Sequence, residues 1–273
     1  MKIVQFYDNS HVRLGLIKSD SVIPFDFGGD MIDFIKSKRP PGLLRAKPIS
    51  LHHLRLAPPL TRPSKIIAIG LNYRDHVKES KGEIPEVPLA FAKFPNSITG
   101  HHGKITWDED VTGKVDFEAE LAVIIGKTVY NCPEVEALKA VFGYTCANDV
   151  SARDLQFGDG QWVRGKSLDT FCPLGPWLVT TEEITDPHVL KIRCWLNDLL
   201  MQDSYTGQMI FTVPHLISFL SRHFTLFPGD IILTGTPKGV GAFRKPSVYM
   251  KDGDKVVVEI EGIGRLVNRC RAR

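Results

Sequence analysis

The segment Val115-Asp116-Phe117-Glu118-Ala119-Glu120-Leu121 alternates carboxylates with apolar residues. A β-strand's period of two sets Asp116, Glu118 and Glu120 on one face and the apolar residues on the other. Such a face also fits a solvated sheet surface. The run continues, however, as Ala122-Val123-Ile124-Ile125, apolar on both sides and therefore read as buried. Carboxylates crowded at the mouth of a buried strand repel one another unless a cation or proton compensates. Hard oxygen donors of this kind suit Mg²⁺ or Mn²⁺ better than zinc. Asp149 is the candidate third ligand, after the strand-like residues 143–147 and just before Ser151-Ala152-Arg153-Asp154-Leu155-Gln156. On one helix, Asp149, Arg153 and Gln156 would face the same way and bring an anion-binding guanidinium and a neutral amide beside the metal. Taken singly, the same segment also fits an ordinary helix start capped by Asp149 or Ser151.

His76 and Glu79 stand i, i+3 in Asn72-Tyr73-Arg74-Asp75-His76-Val77-Lys78-Glu79, so a helix beginning near Asn72 brings imidazole and carboxylate together. That pair suits a base that orients and deprotonates water, and it equally fits two surface neighbours. Lys81-Gly82, Pro85 and Pro88 follow, a composition suited to a movable lid. Gly235-Thr236-Pro237-Lys238-Gly239-Val240-Gly241 follows an apolar strand and offers backbone N–H groups and the Thr236 hydroxyl to a carboxylate, or forms a plain turn. It is neither a Walker loop, since Gly239 follows Lys238, nor a dinucleotide fingerprint, since the third glycine is missing.

The elements that must position these groups read mostly as short strands, at 2–7, 12–17, 65–69, 120–125, 143–147, 174–179, 190–196, 230–234 and 255–260. Helices are expected near Tyr73, after Pro133 and over 213–222. Pro58-Pro59 and Arg62-Pro63 interrupt the pattern, dividing a small β-rich N-terminal cap (1–60) from a catalytic domain (61–273). Strands and helices do not alternate regularly, so the fold class is α+β and β-rich rather than doubly wound.

Composition narrows the function. Among 273 residues, 34 basic and 31 acidic side chains are dispersed without the basic block of a nucleic-acid footprint. The apolar run at 121–125 stops at Gly126, far short of a membrane span. Five cysteines (Cys132, Cys146, Cys172, Cys194, Cys270) lie far apart without a CxxC pair. They read as reduced thiols of the cytoplasm, or of the mitochondrial matrix if a transit peptide has been removed.

Several blocks, in chain order, resemble the fumarylacetoacetate hydrolase family over about residues 62 to 268. They are Gly70-Leu71-Asn72-Tyr73-Arg74-Asp75-His76, the run from Asp116 to Leu121, Asn148-Asp149-Val150-Ser151-Ala152-Arg153-Asp154, Gly165-Lys166-Ser167-Leu168-Asp169-Thr170-Phe171 and Gly235-Thr236-Pro237. Gln161-Trp162, Cys172-Pro173-Leu174-Gly175-Pro176 and Phe243-Arg244-Lys245-Pro246 resemble most closely the second subgroup of fumarylacetoacetate hydrolase domain-containing proteins.

The resemblance implies a mixed β-roll, a homodimer and a Mg²⁺ or Mn²⁺ site at Glu118, Glu120 and Asp149. It also implies a catalytic His76–Glu79 lid dyad, and contacts from Arg153, Gln156, Lys166 and Thr236 to the oxygens of a small 2-oxo acid. Lys166, in a stretch where Arg164, Lys166 and Leu168 alternate as on a strand, is expected to help stabilise an enolate. Members with short N-terminal segments act on acylpyruvates, oxaloacetate or related keto acids. The leading expectation is an acylpyruvate-type hydrolase that cleaves a carbon–carbon bond. An oxaloacetate tautomerase or decarboxylase on the same site is the alternative, and a non-catalytic metal-binding member of the fold the competing class.

Overall fold

The computed structural model describes residues 1–9, 11–38, 42 and 47–273. At its centre runs Ala119–Ile125, a strand buried at every position. Leu121, Val123 and Ile125 enter one apolar cluster, Ala122 and Ile124 another, as alternation across a pleat requires. The strand pairs antiparallel with Val141–Asn148, Glu120 opposite Ala147, and on its other side with Ile231–Leu233. Beyond Ile231–Leu233 the sheet adds Ile66–Gly70 in parallel and ends at Leu89–Lys93. In the other direction it runs through Cys172–Thr180, Lys2–Asp8, His11–Lys18, Ser21–Pro24 and Ile49–Ser50.

A second sheet of Leu199–Tyr205, Lys191–Leu196, Lys255–Ile260, Gly264–Ala272 and Lys104–Trp107 covers one face of the first. Its Ile192, Cys194, Val256 and Val258 share a cluster with Leu121 and Val123. The helix Val213–His223, started by the Thr212 hydroxyl accepting the His215 N–H, adds Leu216, Ile217 and Leu220 to that core. Strand exceeds helix, 38% against 20%, in mixed sheets, which is the β-rich α+β roll expected.

The opposite face is covered from the N-terminal segment. Asp30 and Asp33 form a capping box at the helix Met31–Ser37. Its Met31, Phe34 and Ile35 bury against Ala122, Ile124, Leu178 and Ile231. Lys2 and Ile3 pair with Val179 and Leu178. The N-terminal strands therefore prolong the large sheet, and the helix forms a layer directly behind the strand that carries Glu120. Asn9, which follows the first strand, takes a left-handed conformation at φ 56°, and Ser10 lies outside the described residues. Among the described residues no helix is long and apolar enough to cross a membrane. All five cysteines are buried and unpaired.

Candidate metal centre and active site

Between the short strand Val115–Asp116 and Ala119–Ile125 the chain leaves the ladder at Phe117 and Glu118. Two bonds hold this break: Glu118 N–H donates to Asn148 Oδ1 at 2.9 Å, and Asp149 N–H donates to the Glu118 carbonyl at 2.9 Å. The hairpin end is thereby clamped so that Glu118, Glu120 and Asp149 meet, with one ligand oxygen from each lying within 4.8 Å of the others, all buried. Asp116, expected on the same face, turns elsewhere. It accepts from the N–H groups of Gly241 and Ala242 and pairs with Arg153 Nε at 2.9 Å.

The expected helical turn joining Asp149 to Arg153 and Gln156 is corrected by the structure. Asp149 arrives from the end of Val141–Asn148, and Ser151–Ala152 then pairs with Val115–Asp116 before the helix Arg153–Gly158 begins. The ladder occupies the backbone groups that a longer helix would need. Arg153 and Gln156 do share the helix, and the guanidinium links them: Nη1 donates to Gln156 Oε1 at 2.8 Å and lies 2.6 Å from Glu118 Oε1.

Lys166, expected on a strand, ends the short helix Val163–Lys166 instead. Gly165 makes this possible, because a Cβ there would lie 2.7 Å from the Gln156 nitrogen and 2.9 Å from the Ala152 carbonyl oxygen. That close approach seats Lys166 Nζ 2.8 Å from Glu118 Oε2 and 2.7 Å from Asp149 Oδ2.

One buried cation escaped sequence reasoning. Lys93, at the inner end of the edge strand Leu89–Lys93, lies 2.7 Å from Asp149 Oδ1 and also donates to the Lys166 carbonyl.

Burial drives the carboxyls up, and their neighbours then divide them. At Glu118, Lys166 and Arg153 outweigh desolvation and hold the carboxyl at about 2. Glu120 is pushed well above the usual range by burial and by Asp149 and Glu118, with Lys166 and the Gly235 N–H opposing. Lys166 and Arg153 are raised despite burial, by Asp149 and Glu118 and by Glu118 and Asp116 respectively. The Lys93 contact with Asp149 Oδ1 does not make a hydrogen bond, so that oxygen remains a buried acceptor without one. Three converging carboxylates with unspent acceptor capacity fit a hard divalent cation such as Mg²⁺ or Mn²⁺.

The cluster opens on a cavity of about 100 Å³ lined by Glu118, Arg153, Gln156 and Lys166 on one side and by Phe91, Trp162 and Phe243 among its apolar walls. His76 enters it from the helix Arg74–Ser80, 7% exposed, with its ring 5.7 Å from that of Phe243. Its Nδ1 lies 3.3 Å from Glu79 Oε2. Both Glu79 oxygens accept the Gly239 N–H, at 2.9 and 3.0 Å. The helix is further tied by Arg74 to the Met209 carbonyl and by Asp75 to Ser204. The glycine-rich loop does present N–H groups to carboxylates, and these belong to the protein: Gly235 to Glu120, Gly239 to Glu79 and Gly241 to Asp116. Thr236 lines the cavity while its hydroxyl donates to the Ala119 carbonyl and accepts from Gln202.

Residues 65–271 match the family described as fumarylacetoacetate (FAA) hydrolase C-terminal. The chain belongs to the fumarylacetoacetate hydrolase family. Its curated relatives include oxaloacetate tautomerase FAHD2B, mitochondrial, of Bos taurus, 49% identical over 213 residues, 77% of this chain and 68% of that protein. The resemblance to the second domain-containing subgroup is thereby borne out. Among solved structures, the fumarylacetoacetate hydrolase of psychrophilic Exiguobacterium antarcticum superposes with a TM-score of 0.89 at 37% identity, covering 100% of both chains. The maleylpyruvate hydrolase of Sphingobium sp. SYK-6, in complex with manganese(II) ion and pyruvate, gives 0.81 at 30% identity, covering 100% of this chain and 99% of that one. This member of the enzyme family thus has both tautomerase and hydrolase relatives.

Proposed function

We propose that the protein is a Mg²⁺- or Mn²⁺-dependent oxaloacetate keto–enol tautomerase, with Glu118, Glu120 and Asp149 as metal ligands. The observation that carries this reading is the burial of His76 against Phe243 in a small, largely apolar-walled cavity. A base screened from water is suited to moving a proton on the substrate rather than activating a water. The relative named oxaloacetate tautomerase supports the same choice.

Each residue has a defined task in this proposal. Arg153 Nη2 is a buried donor without a partner, beside Gln156 in the cavity wall. Together they bind a substrate carboxylate. His76, its Nδ1 held by Glu79, uses Nε2 to take a proton from C3 of the keto acid. Lys166 Nζ stabilises the negative charge that develops on the 2-oxo oxygen and returns a proton there as the enol forms. A divalent ion held by Glu118, Glu120 and Asp149 would supply Lewis acidity to the developing enolate. Phe91, Trp162 and Phe243 keep bulk water from the exchanging proton.

A second reading, hydrolysis of an acylpyruvate, is supported by the likeness to maleylpyruvate hydrolase. It requires His76 and Glu79 to hold a water against a 4-carbonyl. One assay separates the two. Enol-oxaloacetate absorbance is followed with and without EDTA, with pyruvate measured in parallel from oxaloacetate and acetylpyruvate. Metal-dependent loss of enol without pyruvate is expected. Pyruvate from acetylpyruvate without accelerated tautomerisation would favour the hydrolase, and pyruvate from oxaloacetate a decarboxylase.

The proposal includes a homodimer, on the family resemblance. It also places the enzyme in the mitochondrial matrix or cytoplasm, the former supported by the mitochondrial relative.

A further inference from the structure

Trp162 separates two spaces. On its inner side lies the catalytic cavity of about 100 Å³, and on its outer side a groove of about 650 Å³ lined by Leu89, Ala90, Ala92, Phe94 and Val163. Trp162 and Phe91 are the two residues that line both. Their rings meet edge to face with centroids 5.2 Å apart, an arrangement that favours an ordered wall. The indole also rests on Gly70, where a Cβ would lie 2.6 Å from Trp162 Cζ3 and 3.0 Å from Cη2. Gly70 therefore leaves the space that the indole fills. On the catalytic side, Lys166 Nζ stands 5.4 Å from the Phe91 ring centre, so the charged end of the cavity abuts the aromatic wall.

We infer that Trp162, seated on Gly70 and against Phe91, limits the length of the acid that the site accepts. The partition confines the wild-type protein to compact 2-oxo acids, and removing the indole joins the cavity to the apolar groove. A 2-oxo acid with an apolar tail then places its carboxylate and keto group at the charged end and its tail in the groove. This rests on the 2-oxo acid reading of the site but not on which reaction follows. Pocket walls discriminate chain length by about 10- to 200-fold per methylene, so the effect is large enough to measure by binding alone.

The test is calorimetric binding of straight-chain 2-oxo acids, from pyruvate to 2-oxooctanoate, to Mn²⁺-supplemented wild type, Trp162→Ala and Trp162→Phe. The bond from Lys166 N–H to the Trp162 carbonyl is backbone to backbone and survives either substitution. Wild type is expected to bind pyruvate and to lose affinity as the chain lengthens. Trp162→Ala should gain at least about tenfold for 2-oxooctanoate relative to pyruvate, with Trp162→Phe between the two. Should the Ala variant fail to fold, the Phe variant carries the comparison. The same length profile in wild type and variant, or an equal loss at every length, overturns the inference alone. A wild type that binds no 2-oxo acid overturns the underlying reading and the inference with it.

Discussion

Lys93 and Lys166 grip the two oxygens of one carboxylate, with Lys93 Nζ 2.7 Å from Asp149 Oδ1 and Lys166 Nζ 2.7 Å from Oδ2. The two lysines are also joined directly, because the Lys93 ammonium donates to the Lys166 carbonyl. Lys93 thereby fixes both a proposed metal ligand and the backbone of a cavity-lining cation. Two effects of its removal oppose each other. Losing a positive charge draws a cation in, whereas losing the clamp frees Asp149 to turn away. Partners behind the ligands of a metal centre commonly contribute 10- to 100-fold in affinity. Lys93→Met should therefore weaken Mn²⁺ binding by about that factor, measured by calorimetry, with Lys93→Arg recovering part of it. Unchanged or tighter binding would reduce Lys93 to a counter-charge.

Glu120 supports a prediction about protons. In the metal-free protein its carboxyl is raised by burial and by Asp149 and Glu118, so it holds a proton to a higher pH than an ordinary glutamate. A divalent ion must displace that proton. Binding then releases it, and affinity rises with pH until Glu120 is already ionised, and falls as pH falls. Calorimetry in two buffers of different ionisation enthalpy should show buffer-dependent heats in wild type. Glu120→Gln should lose both metal and proton release. Identical heats in the two buffers would mean that Glu120 is ionised before metal arrives.

Much of the centre was legible because its ligands sit in short blocks whose chemistry shows locally: Glu118 and Glu120 at the mouth of an apolar strand, and Asp149 at the end of the next. The path to Asp149 was not, because a helix start and a two-residue ladder have the same local sequence, and only pairing with Val115–Asp116 decides between them. Lys166 was misplaced for a related reason. Alternation of Arg164, Lys166 and Leu168 mimics a strand, while the packing of Gly165 on Gln156 that selects a helix is tertiary. Lys93 was invisible as a functional residue because a lone strand lysine ordinarily reads as exposed. Its signal is the shared inward face with Phe91 in Leu89–Lys93. The strand Gly264–Ala272 lies beyond the strands read from the sequence, which stop at 255–260, although Leu266, Asn268 and Cys270 do alternate with Arg265, Arg269 and Arg271 around Val267.

The N-terminal helix provides a stability test of how far the first 60 residues are tied to the rest. Phe34 is buried among Phe25, Phe27 and Phe142, with ring centroids at 5.3, 5.4 and 6.3 Å. Phe142 lies on the strand Val141–Asn148, which leads into Asp149, so the cluster bridges the proposed boundary. Phe34→Ala should cost about 3–5 kcal/mol and lower a single unfolding transition. Two transitions, only one of them shifted, would instead identify an independently folding cap.

His76 and Glu79 carry the final prediction, which divides chemistry from metal binding. Neither belongs to the carboxylate cluster, and the Glu79 carboxylate is committed to the Gly239 N–H and to His76 Nδ1. Glu79 therefore acts by fixing the imidazole so that Nε2 serves as the base. Replacing it with Gln keeps a group of the same shape but removes the charge that favours a protonated imidazole during proton transfer. General bases typically contribute about 10² to 10⁴ in rate, so Glu79→Gln and His76→Gln should each lower turnover within that range. Mn²⁺ affinity and the binding of oxalate should remain at wild-type values, since the proposed metal ligands, Arg153 and Lys166 are untouched. The double variant should fall little further than His76→Gln alone, because Glu79 acts through the imidazole. If the two losses multiply instead, Glu79 touches the reacting atoms independently, and if metal affinity falls with turnover, the dyad belongs to the metal centre rather than to the proton-transfer step.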